Sequence, residues 1–335
     1  MLEHLRANGY PEITCRPIKS QTVSPDPFWS VVIPIHNRVK HLAQCVASVA
    51  SQFGKHDGVE VILAITDQNQ SDVFDEVFKA AGGIRHLIEC HKFDDDLGAI
   101  CNWNRAIGLT RGRWVHLLHD DDWVEPGFYK TLREGIAHQD VGIASTGWSN
   151  FMDFPGHEVD GKSTISNWAS VGPGVVDPKG WRDCIGVGNP MNLCAVVVKR
   201  ETYERLGLFH PDIPYVADWE FLQRAACHVQ WWSAGDKPLA RYRQHGDSGT
   251  TGADPSSKYR DIRWAKRMAQ SYWPADEWPA VAAASRQHWL KDALEKSFTL
   301  FNVGRIDDSA AVLQEATRLV RELEMPIPTI HKLGA

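Results

Sequence analysis

The sequence predicts an α/β fold in which helices cover both faces of a doubly wound, mostly parallel sheet, with a helical appendage at the C-terminus. Three observations support this prediction. Short apolar runs typical of buried strands alternate with segments of helical spacing in the first half of the chain. Polar, acid-rich segments follow several of these runs, as loops do at the edge of such a sheet. From about residue 276 the composition changes to alanine, leucine and alternating charge, which favours helices.

Four apolar runs predict the strands of the first half. They are Ser30–Ile35, in which Pro34 should mark the strand's end, Val59–Ile65, Arg85–Cys90 and Trp114–Leu118. Apolar residues at helical spacing predict three intervening helices, from Val39 to Phe53 with Asn37 as the cap, from Val73 to Phe78, and from Leu97 to Ile107. This alternation implies right-handed crossovers and parallel pairing.

The second half of the chain is less regular. Its predicted elements are a helix at Pro126–His138, strands at Val141–Thr146 and Met191–Val198, and short helices at Glu201–Leu206 and Asp218–Cys227. The segment Gly147–Gly188 is rich in Gly, Pro, Ser and Trp, so it predicts a long functional loop. A second polar loop is predicted at Leu239–Gly252.

The C-terminal region predicts two helices that meet at Gly304. On the first helix one face carries Leu290, Leu294, Phe298 and Phe301, and on the second one face carries Ala310, Leu313, Ala316, Val320 and Leu323. This pattern predicts an antiparallel hairpin. The hairpin caps the main domain or pairs with a second chain, and the sequence does not separate these alternatives.

Composition argues against several classes of protein. The formal net charge is −6 and no basic stripe is present to neutralise phosphates, so we expect no nucleic-acid partner. Seven cysteines without a C-x-x-C pair predict reduced, mostly buried thiols. The N-terminal residues lack the apolar core of a signal peptide, and no apolar run is long enough to span a membrane. We therefore expect a cytoplasmic protein without a transmembrane segment.

The strongest candidate site follows the fourth apolar run. His119, Asp120, Asp121 and Asp122 should lie just beyond the C-terminal end of a buried strand, where open parallel sheets bind ligands. Adjacent carboxylates repel one another, and a divalent cation relieves that repulsion; oxygen ligands suit Mg2+ or Mn2+ rather than Zn2+. The alternative is a solvated acidic turn before a helix whose first turn holds Pro126.

Three other loops should meet these acids at the same edge of the sheet. They are Pro34–Arg38, Thr66–Asp72 and His91–Asn104. The sequence has no G-x-x-x-x-G-K-[ST] loop, no G-x-G-x-x-G after the first strand and no G-x-S-x-G elbow. These absences argue against P-loop phosphotransferases, dinucleotide-dependent enzymes and Ser-His-Asp hydrolases.

Six motifs, in order, resemble those of the inverting glycosyltransferases of family 2, which have the Rossmann-like GT-A fold. They are Ser30–Arg38, Asp67–Asp72, Leu97-Gly98 with Asn104, His119–Asp122 in place of the D-x-D element, Ala217–Glu220 with Arg224, and Tyr242–His245. The resemblance covers about residues 30 to 250. It implies a GT-A domain at 30–255, with a nucleotide-binding half at 30–125 and an acceptor half at 126–255. An extended lead-in at 1–29 and a helical hairpin region at 256–335 flank it.

The resemblance also implies a nucleotide-binding set. Its members are Pro34, Ile35, His36, Arg38, Asp67, Asn69, Gly98, Asn102, Asn104 and Asp120. Asp67 would accept a hydrogen bond from the base imide. His36, Gln68 and Trp103 depart from the residues that are frequent in the family, which leaves the base open. Uridine is the first choice and deoxythymidine the second.

The resemblance assigns the remaining roles in the same way. The cation, Mn2+ or Mg2+, would be held by residues among Asp120, Asp121, Asp122 and His245, and His119 stands where many relatives carry the first aspartate. The alternative for His245 is an exposed loop histidine. Inversion needs one base, for which Asp218 is the first candidate and Glu220 the second; Asp218 alternatively caps a helix. The acceptor side would include Trp148, Trp181, Asn189 and Trp219, with core packing as the alternative for each tryptophan.

The implied function is metal-dependent transfer of a sugar from a nucleoside-diphosphate sugar to a hydroxyl of a saccharide, lipid-linked glycan or natural-product acceptor. One alternative is a sugar-phosphate nucleotidyltransferase, although such enzymes usually carry a glycine-rich loop after the first strand and His36-Asn37-Arg38 has no glycine. Another is a non-catalytic sugar-binding module that uses the tryptophans. The C-terminal helices would form any homodimer.

Overall fold

The computed structural model describes residues 27–36, 39–54, 57–66, 73–154, 157–160, 171–246 and 254–324. A mixed sheet runs through these residues. Its first strands are β1 (Trp29–Ile35), β2 (Val59–Ile65), β3 (Ile88–Lys92) and β4 (Trp114–Leu117), which pair in parallel in the order β3-β2-β1-β4. Both faces of β1 are covered, because Val31 and Ile33 pack into one hydrophobic cluster and Val32 into the other. Burial on both faces explains why these strands are continuously apolar.

The sheet continues beyond β4 with strands of both directions. They are β5 (Trp123–Val124), β6 (Ile143–Phe154), β7 (His157–Asp160), β8 (Pro173–Val175), β9 (Val196–Lys199) and β10 (Trp231–Gln244). β9 lies antiparallel between β4 and β6, and β10 runs parallel to β6. β5 pairs with the end of β10, which brings that end next to the loop after β4.

Helices cover the sheet and follow it. In chain order they are α1 (Leu42–Ala50), α2 (Val73–Ala81), α3 (Ala99–Gly108), α4 (Phe128–Ile136), α5 (Pro178–Ile185), α6 (Arg200–Leu206), α7 (Ala217–Ala226), α8 (Pro255–Tyr272), α9 (Trp278–Asn302) and α10 (Ile306–Glu324). The predicted α/β class, with a doubly wound first half and C-terminal helices, is confirmed. None of the helices that the structure describes has the length and apolar character needed to cross a bilayer.

Several predicted boundaries shift in the first half. The third strand begins at Ile88, because residues 82–87 form a 3-10 helix instead. α1 begins after His41, so Asn37, which lies outside the described residues, is not its cap. Pro34 lies inside β1, opposite Ala64 of β2. The pairing of β1 with β4 stops at Val32, so β4 does not require a hydrogen bond from the amide that proline lacks.

Larger errors occur in the second half. The predicted long loop contains the end of β6, β7, β8 and α5, and the predicted polar loop from Leu239 is the second part of β10. The second part of β10 is polar in sequence because it contains Arg241 and Arg243. Both arginines fit within the strand because their side chains bind acidic residues on neighbouring segments. α8 was not predicted, because buried Asp261 and Lys266 interrupt its apolar pattern.

The C-terminal helices pack on the main domain. One hydrophobic cluster runs from Val32 in the sheet to Leu323 in α10. The buried face of α9 carries Trp289, Ala293, Ser297 and Leu300. The face that the sequence singled out, with Leu290, Leu294, Phe298 and Phe301, points outward and is 40% to 66% exposed.

Candidate active site

Loops from the ends of β1 and β4 and the segment before α3 meet at one edge of the sheet. His36 Nε2 lies 2.8 Å from Asp96 Oδ2, which joins the β1 loop to the segment before α3. The rings of Trp103 in α3 and His119 after β4 are 4.8 Å apart. The predicted convergence is therefore confirmed for these loops. Arg38, Asp67 and Asn69 lie outside the described residues.

The acidic stretch after β4 forms a compact ligand cluster. Nitrogen or oxygen atoms of His119, Asp121 and Asp122 all lie within 4.8 Å of one another. Asp122 is 1% exposed, and its Oδ2 accepts no hydrogen bond from any described residue. Burial, and then the charge of Asp121, raise the pKa of Asp122 well above its usual value. A bound cation would offset both costs, so the cluster fits a divalent metal better than a solvated turn.

Arg243, at the end of β10, holds this cluster in place. Its backbone amide donates to Asp122 Oδ1 at 2.9 Å, and its Nε donates to the carbonyl oxygen of Asp121 at 2.9 Å. Its remaining guanidinium nitrogens donate to Asp153 at 3.0 Å and to Gln44 at 2.6 Å. No role was predicted for Arg243. The available signal was its position within the Tyr242–His245 motif.

Two histidines approach the cluster from the same side. His245 Nε2 lies 3.0 Å from Asp121 Oδ2, so the predicted proximity of His245 to the acids is present. The rings of His245 and His41 are 5.5 Å apart. Burial, and then the charge of Arg243, lower the pKa of His41 to about 4, so this imidazole is neutral at physiological pH. Asp120 is buried and does not belong to the three-residue cluster.

The predicted nucleotide-binding residues divide into two groups. Pro34 and Ile35 are buried and end β1 at this edge, and Gly98, with φ +84°, is the N-cap of α3 there. Asn102 and Asn104 instead fix α3 to its neighbours. Asn102 is 1% exposed and donates to the carbonyl oxygen of Ala64, which removes it from contact with a ligand. Asn104 uses both ends of its amide on the backbone of Phe209, at 2.8 and 3.0 Å.

Asp218 lies in the first turn of α7, and its side-chain partner among the described residues is Asn189. Asn189 Nδ2 donates to Asp218 Oδ2 at 2.9 Å. Burial raises the pKa of Asp218 to about 6, although hydrogen bonds from backbone amides and Asn189 oppose the rise. The N-cap of α7 is Val216, so Asp218 does not cap the helix. It is a partly buried carboxylate whose pKa suits proton transfer near neutral pH.

Glu220 occupies a different environment from Asp218. It is 2% exposed, and both of its carboxylate oxygens accept from Arg224, at 3.1 and 2.9 Å. The same guanidinium binds the carbonyl oxygens of Leu206 and Leu208. Glu220 therefore ties α7 to the segment after α6, which makes it a weaker candidate for the base than Asp218.

Aromatic rings connect the acidic cluster with α7. Trp103 packs on His119 and, at 5.6 Å between centroids, on Phe209. Phe209 in turn lies 5.1 Å from Phe221, one turn after Asp218. The tether between Asn104 and Phe209 runs beside this series of rings. The acidic cluster after β4 and the first turn of α7, which carries Asp218, are thus connected through packed aromatic side chains.

The predicted acceptor-side tryptophans do not behave alike. Trp219 is 2% exposed and donates to the carbonyl oxygen of Ile185, so it belongs to the core and offers no face to an acceptor. Trp181 is 1% exposed and packs on Trp231. Trp148 is partly exposed and, together with Trp181 and Pro190, lines a cavity of about 210 Å³. Pro190, which lines this cavity, directly follows Asn189 in the chain.

Comparison with known proteins adds to this geometry. The family model described as Glycosyl transferase family 2 matches residues 30–184. Glycosyltransferase GlyG of Streptococcus pneumoniae is 25% identical over 130 residues, which are 38% of this chain and 41% of GlyG. The chain thus spans less than half the length of this curated relative, as it does of a Mycobacterium tuberculosis protein that is 30% identical over 118 residues.

Two solved structures share the fold. The structure of S. aureus TarS 1-349 in complex with UDP-GlcNAc matches with a TM-score of 0.57 at 14% identity, and covers 87% of this chain and 91% of TarS 1-349. The mannosyltransferase PcManGT from Pyrobaculum calidifontis, in complex with GDP-Man and Mn2+, matches with a TM-score of 0.53 at 15% identity. That match covers 95% of this chain and 82% of PcManGT.

Proposed function

Because the chain belongs to glycosyltransferase family 2, we propose that it transfers a sugar from a nucleoside-diphosphate sugar to a hydroxyl group of an acceptor. The observation that carries the proposal is the cluster of His119, Asp121 and Asp122 at the edge where the β1 and β4 loops meet. The donors to test first are uridine diphosphate sugars, which the motifs favour. GDP-Man, bound by the similarly folded PcManGT, is the second donor to test.

A divalent cation is proposed at this cluster. Carboxylate oxygens with an imidazole nitrogen form a ligand set that suits Mn2+. His119, Asp121 and Asp122 would hold the ion, while Arg243 keeps the loop that carries them in position. When bound, the cation would stabilise the negative charge that develops on the departing diphosphate. The Mn2+ in the PcManGT structure supports this choice of metal.

Asp218 is the proposed base. It would accept the proton of the acceptor hydroxyl as that oxygen attacks the anomeric carbon. Asn189 orients the carboxylate and favours its charged form through the 2.9 Å hydrogen bond to Oδ2. A single base of this kind fits a direct displacement with inversion, and Glu220 is already paired with Arg224. The acceptor would bind beside Asn189, with the partly exposed Trp148 as the aromatic face.

The test is a screen of UDP-sugars and GDP-sugars with Mn2+, in which released nucleoside diphosphate is measured. We expect release that EDTA abolishes and Mn2+ restores. Asp122→Asn should abolish it, whereas the control Asp183→Asn, at an exposed ion pair with Lys179 on α5, should not. Pyrophosphate release from a nucleoside triphosphate and a sugar phosphate would instead identify a nucleotidyltransferase. Sugar binding without turnover of any donor would identify a binding module.

A further inference from the structure

Three successive backbone carbonyls before Asn189 are held by side chains from the helices that follow. Trp219 in α7 donates to the carbonyl oxygen of Ile185 at 2.6 Å. Ser285 in α9 donates to that of Gly186 at 2.8 Å, and Trp289 donates to that of Val187 at 2.9 Å. An ordinary connection between a helix and a strand does not need a separate side-chain donor for each carbonyl.

Lys266 in α8 makes the fourth of these contacts. It is 1% exposed, and its Nζ donates to the carbonyl oxygen of Gly186 and, at 3.0 Å, to Gln223 Oε1. The same Nζ lies 4.3 Å from the centre of the Trp219 ring. No described carboxylate lies within ion-pair distance of it. Burying a lysine without a carboxylate partner is costly, and a methionine would fill the space at a lower desolvation cost.

Packing and a second contact from α8 fix the same region. A Cβ atom on Gly186 would lie 2.7 Å from Val281 and 2.8 Å from Trp273, so the loop approaches the C-terminal helices as closely as a glycine permits. In α8, Asp261 accepts from the backbone amide of Tyr215 at 3.1 Å, three residues before Asp218. Contacts of α8 therefore reach both the segment that carries Asn189 and the segment that carries Asp218.

We propose that α8 and α9 position the Asn189–Asp218 pair, with Lys266 as the principal positioning residue. The inference rests on the proposed role of Asp218 as the base. Asn189 follows the anchored carbonyls by two residues, so release of the anchor changes the direction from which its amide meets Asp218. Lys266 does not touch a substrate. It acts through the loop 185–188, which explains why an uncompensated lysine lies in the core.

The primary test compares Lys266→Met with Lys296→Met, a substitution at an exposed position on α9. Lys266→Met should lower kcat about tenfold with the KM for the donor unchanged, because a displacement well below 1 Å costs less than the roughly 100-fold loss that 1 Å brings. It should also move the acid limb of the kcat/KM profile to higher pH, because Asn189 no longer favours the charged form of Asp218. The midpoint of thermal unfolding should change little, because loss of the hydrogen bonds to Gly186 and Gln223 offsets the removed cost of burying the amino group.

A second pair of variants, with smaller changes, tests the proposal if Lys266→Met does not fold. Ser285→Ala removes one donor to Gly186, whereas Ser297→Ala removes a buried serine of the same helix that bonds Ser309 in α10 instead. One hydrogen bond of about 1 kcal/mol corresponds to a change of about fivefold. We expect a two- to fivefold loss of kcat and a displaced acid limb in Ser285→Ala, with neither change in Ser297→Ala.

Hydrogen exchange provides a readout that needs no substrate. Peptides that cover residues 185–189 should exchange faster in Lys266→Met and Ser285→Ala than in the wild type or the two controls. Unchanged exchange together with an unmoved acid limb would overturn the proposal. So would equal loss of activity in Ser285→Ala and Ser297→Ala. If the wild type turned over no donor, the proposed function would fail, whereas the exchange data would still test the anchor.

Discussion

The hydrogen bond from Asn189 to Asp218 gives the sharpest prediction about the proposed chemistry. A carboxylate that acts as a base must be charged, so the rate should fall as the pH drops through its pKa, which is about 6. Asn189 donates at 2.9 Å to Oδ2 and lowers that pKa. Asn189→Ala should therefore raise it and move the acid limb of kcat/KM to higher pH.

The size of the displacement follows from the strength of the bond. A hydrogen bond to a charged group contributes about 1.5 to 3 kcal/mol, and 1.36 kcal/mol corresponds to one pH unit. Because Asp218 also accepts from backbone amides, the lower value applies, and the limb should move by about one pH unit. At pH 6 Asp218 would then be charged in about a tenth of the variant molecules and in about half of the wild-type molecules. The expected loss of kcat/KM at this pH is therefore about fivefold. At pH 8 the two proteins should nearly agree.

The assay is kcat/KM for nucleoside diphosphate release in the presence of acceptor, measured from pH 5 to 9. Asn302→Ala is the control, because Asn302 lies at an exposed position at the end of α9. Asp218→Asn should lower kcat by about 10² to 10⁴ at every pH. An acid limb that stays in place in Asn189→Ala would refute the assigned role of the hydrogen bond. Full activity in Asp218→Asn would refute Asp218 as the base.

Three further predictions concern other parts of the molecule. Arg243→Met should destabilise the protein by about 3 kcal/mol in urea unfolding, because Asp153 loses its ion-pair partner and the Asp121 carbonyl oxygen loses a donor; a change below 1 kcal/mol would contradict this. Trp148→Ala should raise the KM for the acceptor about tenfold and leave that for the donor unchanged, and equal effects on both would argue against an acceptor role. We propose that any homodimer forms through the exposed apolar face of α9, so light scattering should find the wild type dimeric and Phe298→Glu, which charges this face, monomeric; a monomeric wild type would exclude the dimer.

Sequence patterns predicted the first half of the fold well. β2 has the predicted bounds, because a strand buried on both faces must be continuously apolar. The position of the acidic stretch after β4 followed from the same pattern. Asp218 was also predicted as a site residue, because the Ala217–Glu220 motif at the start of a helix resembles the acceptor-side motif of the family. In each case a local pattern carried the information.

Other features depended on residues that are distant in the sequence. Asn102 and Asn104 belong to a motif, yet their partners are the backbones of Ala64 and Phe209, which no spacing rule predicts. The apolar residues Leu290, Leu294, Phe298 and Phe301 recur at helical spacing on α9, but they are exposed. Packing against the main domain buries a different face of this helix, which the spacing does not predict. Arg243 looked like a loop residue until β10 brought it to the acids.

The sequence by itself determined the α/β class, the alternation of strands and helices in the first half, and the place of the acids after β4. These follow from burial and from the fixed periods of strands and helices, which are local properties. Only the tertiary structure decided which polar residues are accessible and which form hydrogen bonds to the segments around the acidic cluster. Lys266 shows the reason: no local pattern marks it, and the carbonyl oxygen that it binds belongs to Gly186, 80 residues earlier in the chain.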